Sequence, residues 1–535
     1  MSIDIFSSLN KWRFAFLLGF ILIGFQALTT ASIILATPPN HTWLGAANIN
    51  SSDAAVYIGY LNQSLNTFTL QNLYNLQPQS PRFDLFWSSA GLLIRTGLSA
   101  ITVYEILRLL CAMFLAFAVF ATARAVTSNE RSARISSLLM ISGLSTGWLY
   151  PVWMAFFGHW TSNSPSPADL ATEFAIAPIL LASAHMILSV ALQLLAVRWI
   201  WDTLWNKNKK KFGYAFLALF LQTGIHPYFI PFYGILSLII LLGLKLKTRL
   251  SWSVVRTWVI LMASMLPSAT YYLWITLHDT SFRNHYFQDN QLPLNKPIYW
   301  IVMLLPFISI ISWTFCRQSP ELNKWYIKTP WALSWLAAAI FCMLLPFPWT
   351  RKYTQGLLPV LVIITLPLWL NLYEHLRRIV TFPLTRALLV LAIFFTYLNL
   401  FMTQQYLQSN PKWTKYFYAP NSLMNAWAYI KNHNSGEPII ASDINVNLWT
   451  PAFSGKKVWI GHGHETPDFK NKLQHYNRWI TTGNPEIFND FLNQNHIITL
   501  LCSNEEHSKI CASNLGQDWK KSFEQRGVTV WQRQR

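Results

Sequence analysis

Only 12% of this 535-residue chain is Asp, Glu, Lys or Arg, and the residues able to do chemistry sit in short polar stretches between apolar runs. Asp53, in NINSSDAAVYIGYLNQ, is the only acid between positions 38 and 83. Asp169 and Glu173 lie four residues apart in SPSPADLATEF, a spacing that one helical turn would place on one face. His226 falls in IHPYF, Arg283 in FRNHYFQDN, and Arg351 with Lys352 in FPWTRKYTQG. A carboxylate can take the proton of an attacking hydroxyl, and Arg and Lys bind phosphate oxygens with charge-assisted hydrogen bonds. Together these residues suit a transfer in which a hydroxyl attacks and a phosphate leaves. Singly, each has a plainer reading, since a loop Asp is often just solvated and a cation at a helix end often snorkels to the interface.

Two further groups lie in the last quarter of the chain. GHGHETPDF contains His462, His464, Glu465 and Asp468, all metal-ligand types, and His-x-His spacing occurs in metal sites. After a strand the two histidines would point the same way. The motif would then bind a divalent cation, touch an acceptor or another domain, or hydrogen-bond its own loop. No cofactor follows from the residues alone. Cys502 and Cys511 stand in LCSNEEHSKIC, where an oxidising compartment would allow them to pair.

The elements that must position these groups are mostly membrane helices. The chain is 53% hydrophobic with a positive mean hydropathy, and a helix needs about 20 apolar residues to cross the hydrocarbon core. Such runs lie near 14–37, 100–123, 136–157, 174–202, 213–225, 228–246, 252–277, 298–316, 330–347, 357–373 and 387–404. The first is too long for a signal-peptide core and lacks a clean cleavage site, so it reads as a retained anchor. The run 213–225 is short and ends at His226-Pro227, which suggests a re-entrant hairpin or two short helices meeting near the outer face. Placing the N-terminus inside puts nineteen Lys and Arg in cytoplasmic loops and six on the other side, tail excluded. Most of the basic excess therefore lies in clusters between apolar runs, as in membrane loops, and nucleic acid is not the expected partner.

The expected fold is a polytopic α-helical membrane protein of about eleven spans with a C-terminal extracytoplasmic α/β domain. Its membrane domain would occupy residues 1–404, with a large first outward loop at 38–99, and the α/β domain residues 405–535. In the tail, helices are expected near 421–433 and 468–480, and strands near 438–442, 457–461, 497–502 and 528–532, in a small three-layer arrangement. No phosphate-cradling glycine loop, zincin motif or nucleophile elbow occurs.

One long helix, a first outward loop with an Asp, many further spans and an outward α/β tail resemble the GT-C superfamily of membrane glycosyltransferases. SSDAAVYIGYLNQ, TVYEILRLL, DLATEF, IHPYF and VWIGHGHETPDF resemble an uncharacterised bacterial branch of it. The resemblance implies a polyprenyl-phosphate-linked sugar as donor, a glycan, lipid or protein acceptor, and a bacterial inner (plasma) membrane location. It implies Asp53 as catalytic base, Asp169 or Glu173 as a second acid, and Arg351 and Lys352 facing the donor phosphate, with Arg283 and His226 next in line. Better-known branches carry two adjacent acids in the first loop, whereas Asp53 is followed by Ala54 and Ala55. The competing readings are a lipid-linked-sugar transporter or flippase, a glycan polymerase or ligase, and a non-catalytic assembly partner. Transporters commonly show matched broken helices in two halves, and only one interrupted pair is present.

Overall fold

The computed structural model describes residues 5–46, 51–127, 129–142, 174–284, 287, 297–315, 329–379, 382–410, 414–433, 436–482 and 484–534. The chain divides into two compact units: Met1–Thr29, Leu107–Tyr272 and Leu292–Gln405 in the first, and Thr30–Ile106, Leu273–Gln291 and Tyr406–Arg535 in the second.

The first unit is helical. Helices occupy most of the described part of each apolar run. By length and composition, five of the described helices can cross a membrane: Trp12–Leu35, Ala100–Val126, Ala184–Leu204, Phe229–Leu246 and Thr350–Leu376. A sixth is the pair Trp252–Ala263 and Leu266–His278 if counted as one span, bent by 47°. Of the 136–157 segment only residues 136–142 lie within the described residues, at the end of helix Glu130–Ser142. The chain is thus a multi-pass helical membrane protein.

Burial sorts these helices. Ala184–Leu204 is apolar almost all round and buried nearly throughout, as a helix surrounded by others must be. It packs along Lys209–Ile225, while Pro330–Leu344 lies between Phe229–Leu246 and Leu357–Ile379. Leu17, Phe20 and Leu28 on the first helix, and Leu238, Leu242 and Leu246 on a later one, are exposed. In water that would be costly; facing lipid tails it is not. The run expected at 213–225 is longer than it reads, because the helix begins at Lys209 behind an Asn208 cap. It stops at His226, where Pro227 removes a backbone donor. Buried Arg108 and Gln26 both donate to the Leu180 carbonyl, at 3.2 and 2.7 Å. These two polar side chains thereby serve a helix terminus.

The second unit joins the stretch that follows the first helix to the tail. β1 (His41–Trp43) pairs antiparallel with β2 (Tyr418–Pro420). β3 (Ile439–Ala441), β4 (Thr499–Cys502), β5 (Trp519–Gln525) and β6 (Val528–Arg533) form a second sheet in the order β3-β4-β6-β5, with only the β3/β4 pair parallel. All four residues of β4 are buried, as in a strand covered on both faces. Ile440, Leu500 and Cys502 pack with Trp459, Tyr476, Trp479, Phe488 and Trp519, drawing in helices Phe469–Thr481, Pro485–Gln494 and Glu505–Asn514. Helix Asn421–Asn432 packs on β5 and β6.

The stretch expected as a strand at 457–461 is not one. It meets β3 at a single bridge, Ile439 to Val458. Ile439 N–H and Trp459 N–H close that bridge, while Val458 N–H, on the opposite edge, bonds the Leu73 carbonyl of the first loop at 3.0 Å. Cys502 and Cys511 are joined in a disulfide, with Cα atoms 6.8 Å apart.

Asp84 starts the helix Leu85–Ile94 by accepting from Phe86 N and Trp87 N. Burial pushes its carboxyl up to about 6, with the two backbone donors and Arg82 pulling the other way. A pKa raised above that of the unfolded chain means the stabilising form is the protonated one. That contribution is complete below about pH 4 and is lost as pH rises through about 6. Asp84→Asn keeps the cap without the charge. Melting in detergent from pH 4 to pH 7 should therefore cost the native protein on the order of 1–3 kcal/mol more than the variant. Parallel pH profiles for the two would show that Asp84 is not the titrating group.

Candidate active site

In the second unit, helix Ser51–Gln63 carries Asp53 in its first turn, where the helix dipole favours a carboxylate. Ala54, Ala55, Ile58, Gly59 and Leu61 are buried, and this leaves Asp53, Tyr57 and Tyr60 half-buried on the remaining face. The buried face meets helix Ile444–Ser454 of the tail, and Asn62 Nδ2 donates to the Ala452 carbonyl at 2.8 Å. Behind Asp53, Tyr57 stacks on Trp87 at 4.6 Å, and Trp87 stacks on Tyr104 at 6.0 Å.

Asp53 Oδ1 lies 3.1 Å from His462 Nε2. The imidazole is 4% exposed and the carboxylate side chain 25%, so one partner is fixed and the other accessible. Gly461 permits this approach, because a Cβ there would stand 2.7 Å from the Tyr74 ring and 3.0 Å from the Asn447 carbonyl. Asn72 Nδ2 donates to the Glu465 carbonyl at 2.8 Å, and Tyr74 Oη donates to the Leu448 carbonyl at 2.6 Å. Burial first, then the charge of Glu465 and the neighbouring Tyr60 and Asp53, pushes the Tyr74 phenol well above its ordinary value. It therefore remains a hydroxyl donor.

Residues 273–291 complete this unit. Asp279 accepts from Ser80 N and Phe282 N, both at 2.9 Å, and Asn75 Nδ2 donates to Ser281 Oγ. Arg283, exposed at the end of the short helix Thr280–Asn284, is held on this segment.

The histidines of GHGHETPDF do not point the same way. His462 is buried and His464 exposed, with ring centroids 6.0 Å apart, because residues 461–466 form a turn in place of a strand. Thr466 N donates to the His462 carbonyl and Gly461 N to Thr466 Oγ1. Asp468 is exposed with a left-handed φ of 55° and bonds Asn471, away from the pair. Among the described residues no three His, Cys, Asp or Glu side chains gather as metal ligands would. Asp169 and Glu173 lie outside the described residues.

In the first unit, Arg351 and Lys352 lie on a 3-10 turn, Thr350–Thr354, after the Pro346–Pro348 interruption that ends helix Pro330–Leu344. His226 caps helix Lys209–Ile225 and is buried, its ring 5.1 Å from that of His185. A buried polar bridge ties the two places together. Gln222, one turn before His226, and Gln355, three residues past Lys352, both donate to Ser189 Oγ. Phe229 and Tyr353 meet edge to face at 6.3 Å. Polar groups at this depth are costly to keep and usually functional. Ser189, Gln222, Gln355, Asn72 and Tyr74 carry no signal in the sequence that marks them, since their partners are distant in the chain.

No protein-family model matches the chain, and no curated protein matches it. Among solved structures it is similar to the archaeal oligosaccharyltransferase AglB from Archaeoglobus fulgidus, in complex with an inhibitory peptide and a dolichol-phosphate. The identity there is 12%, the TM-score 0.48, and the match covers 95% of this chain and 71% of that one. It is also similar to ArnT from Cupriavidus metallidurans bound to undecaprenyl phosphate, at 10% identity and TM-score 0.45, over 90% of this chain and 97% of that one. The apo state of ArnT matches at 10% identity and TM-score 0.45, over 95% and 96%.

Proposed function

We propose that this protein is a membrane glycosyltransferase that moves a sugar from a polyprenyl-phosphate donor to a hydroxyl-bearing acceptor on the non-cytoplasmic face. The observation that carries the reading is Asp53, an accessible carboxylate at a helix N-terminus with one oxygen held by a buried histidine. A base so placed takes the acceptor's proton as its oxygen attacks the anomeric carbon. The bond from that carbon to the phosphate breaks, and polyprenyl phosphate leaves with the bonding pair. Attack opposite the leaving group inverts the anomeric centre. The GT-C resemblance of the first-loop and tail strings supports the donor class, and the AglB and ArnT structures hold a dolichol-phosphate and undecaprenyl phosphate. The Lys and Arg bias supports a cytoplasmic N-terminus and a tail on the opposite side, and the resemblance supports a bacterial inner membrane.

The test follows release of undecaprenyl phosphate from a panel of undecaprenyl-phosphate-linked hexoses and pentoses in membranes supplied with envelope glycan, lipid or protein acceptors. Acceptor-dependent release supports transfer. Movement of the intact donor across the bilayer without release would make the protein a transporter instead.

Arg351 and Lys352, with His226 behind them, are proposed to hold the donor phosphate, since two adjacent cations there invite an anion. Changing both to Gln should raise the donor KM or lower turnover by about 10-fold or more, as the loss of charged hydrogen bonds worth about 1.5–3 kcal/mol implies. The acceptor KM should stay nearly unchanged. Unaltered donor kinetics in the double variant would move the phosphate site, with Arg283 the next candidate.

A further inference from the structure

The turn at 461–466 is wound around one ring nitrogen. The backbone N–H groups of His464 and Glu465 both point at His462 Nδ1, each at 3.1 Å. A backbone N–H can only donate, so Nδ1 must present its lone pair, and the imidazole proton must sit on Nε2. Nε2 is the atom 3.1 Å from Asp53 Oδ1. The turn therefore selects the one tautomer that can donate to the carboxylate. Asn72 on the Glu465 carbonyl and the Tyr74 ring, 5.9 Å from that of His462, hold the turn on the first loop.

We infer that His462 is a positioning residue for Asp53, supplied by the tail across 409 residues of sequence. It holds Oδ1 by a donated hydrogen bond and thereby fixes the orientation of the carboxylate that takes the acceptor's proton. The inference rests on the reading of Asp53 as base. It assigns the histidine motif to the reaction centre of the second unit as an orienting element and gives it no metal to bind.

The two functions of the ring can be separated by substitution. In His462→Asn the side-chain oxygen reaches the place of Nδ1 and can accept from the turn, but no donor reaches Asp53. In His462→Gln the amide nitrogen reaches the place of Nε2 and can donate to Asp53, but the turn loses its acceptor. The probe is the same panel of undecaprenyl-phosphate-linked sugars, read as kcat and donor KM, with melting temperature measured alongside. The expected result is that His462→Asn keeps its melting temperature and donor KM but loses about 10- to 100-fold in kcat, less than the roughly 10²- to 10⁴-fold that a positioned general base itself contributes. His462→Gln should melt lower yet recover most of the turnover. In an Asp53→Asn background, His462→Asn should cost nothing further.

The opposite ranking, with His462→Gln the less active and His462→Asn near normal, makes the ring a loop support and overturns the inference. So does equal loss in both variants in proportion to lost stability. Full activity in Asp53→Asn removes the base itself, a separate failure that this single variant reports.

Discussion

Asp53→Asn should lower sugar transfer by about 10²- to 10⁴-fold, the usual range for loss of a positioned general base. The substitution tests charge more than shape. An amide has the outline of a carboxylate, and its oxygen can still accept from His462 Nε2, so the turn at 461–466 keeps its seat. The side chain is a quarter exposed, and the helix loses only a favourable first-turn charge, worth about 0.3–1 kcal/mol. Melting temperature and protein level should therefore stay close to native while turnover collapses. The measurement is release of undecaprenyl phosphate by matched amounts of the two proteins, with donor KM fitted separately. A base acting only as the acceptor's proton moves should leave donor KM almost unchanged. Near-normal turnover would take Asp53 out of the reaction.

Loss of the Cys502–Cys511 disulfide should markedly destabilise the tail. The bridge closes a loop nine residues long in sequence separation, which the chain-entropy relation values at roughly 2–3 kcal/mol. Both half-cystines are fully buried in the cluster that holds Trp479, Phe488 and Trp519. The bond thus ties the end of the β4 strand to helix Glu505–Asn514 at the centre of the tail's packing. Replacing both with Ala should lower the tail's melting transition by roughly 5–10 °C. Native protein unfolded without reductant should show neither of these two thiols to a maleimide. Labelling of both in protein taken from the membrane would mean the pair is reduced there, and would argue against an oxidising compartment for the tail.

The membrane character of the chain was legible in its sequence because a bilayer imposes a simple rule. About 20 apolar residues in a row have one stable fate, and Lys and Arg report the side of each loop. The same holds for elements whose periodicity is clean. Helix Asn421–Asn432 and strands β3, β4 and β6 appear where the apolar pattern places them. Helix Ile444–Ser454 carried a signal that could have been read, Asp443 as its cap and Gly455, at a φ of 70°, as its stop. Pro451, Asn445 and Asn447 masked its apolar face. β5, WKKSFEQ, is an edge strand whose Lys520, Lys521 and Glu524 break the alternation a covered strand would show.

Sequence reasoning could nominate Asp53 and His462 separately, one as the lone acid of a loop, the other as part of a histidine-rich string. It could not join them, because side-chain periodicity reports only neighbours within a turn or a strand. Their pairing depends on β1 meeting β2, on Val458 bonding Leu73, and on Gly461 lying against Tyr74. Each of those contacts spans hundreds of residues. The same packing turned His462 inward and His464 outward. Two identical side chains two positions apart, which an extended strand would have made equivalent, took different roles because backbone donors of a tight turn captured one ring and left the other in solvent.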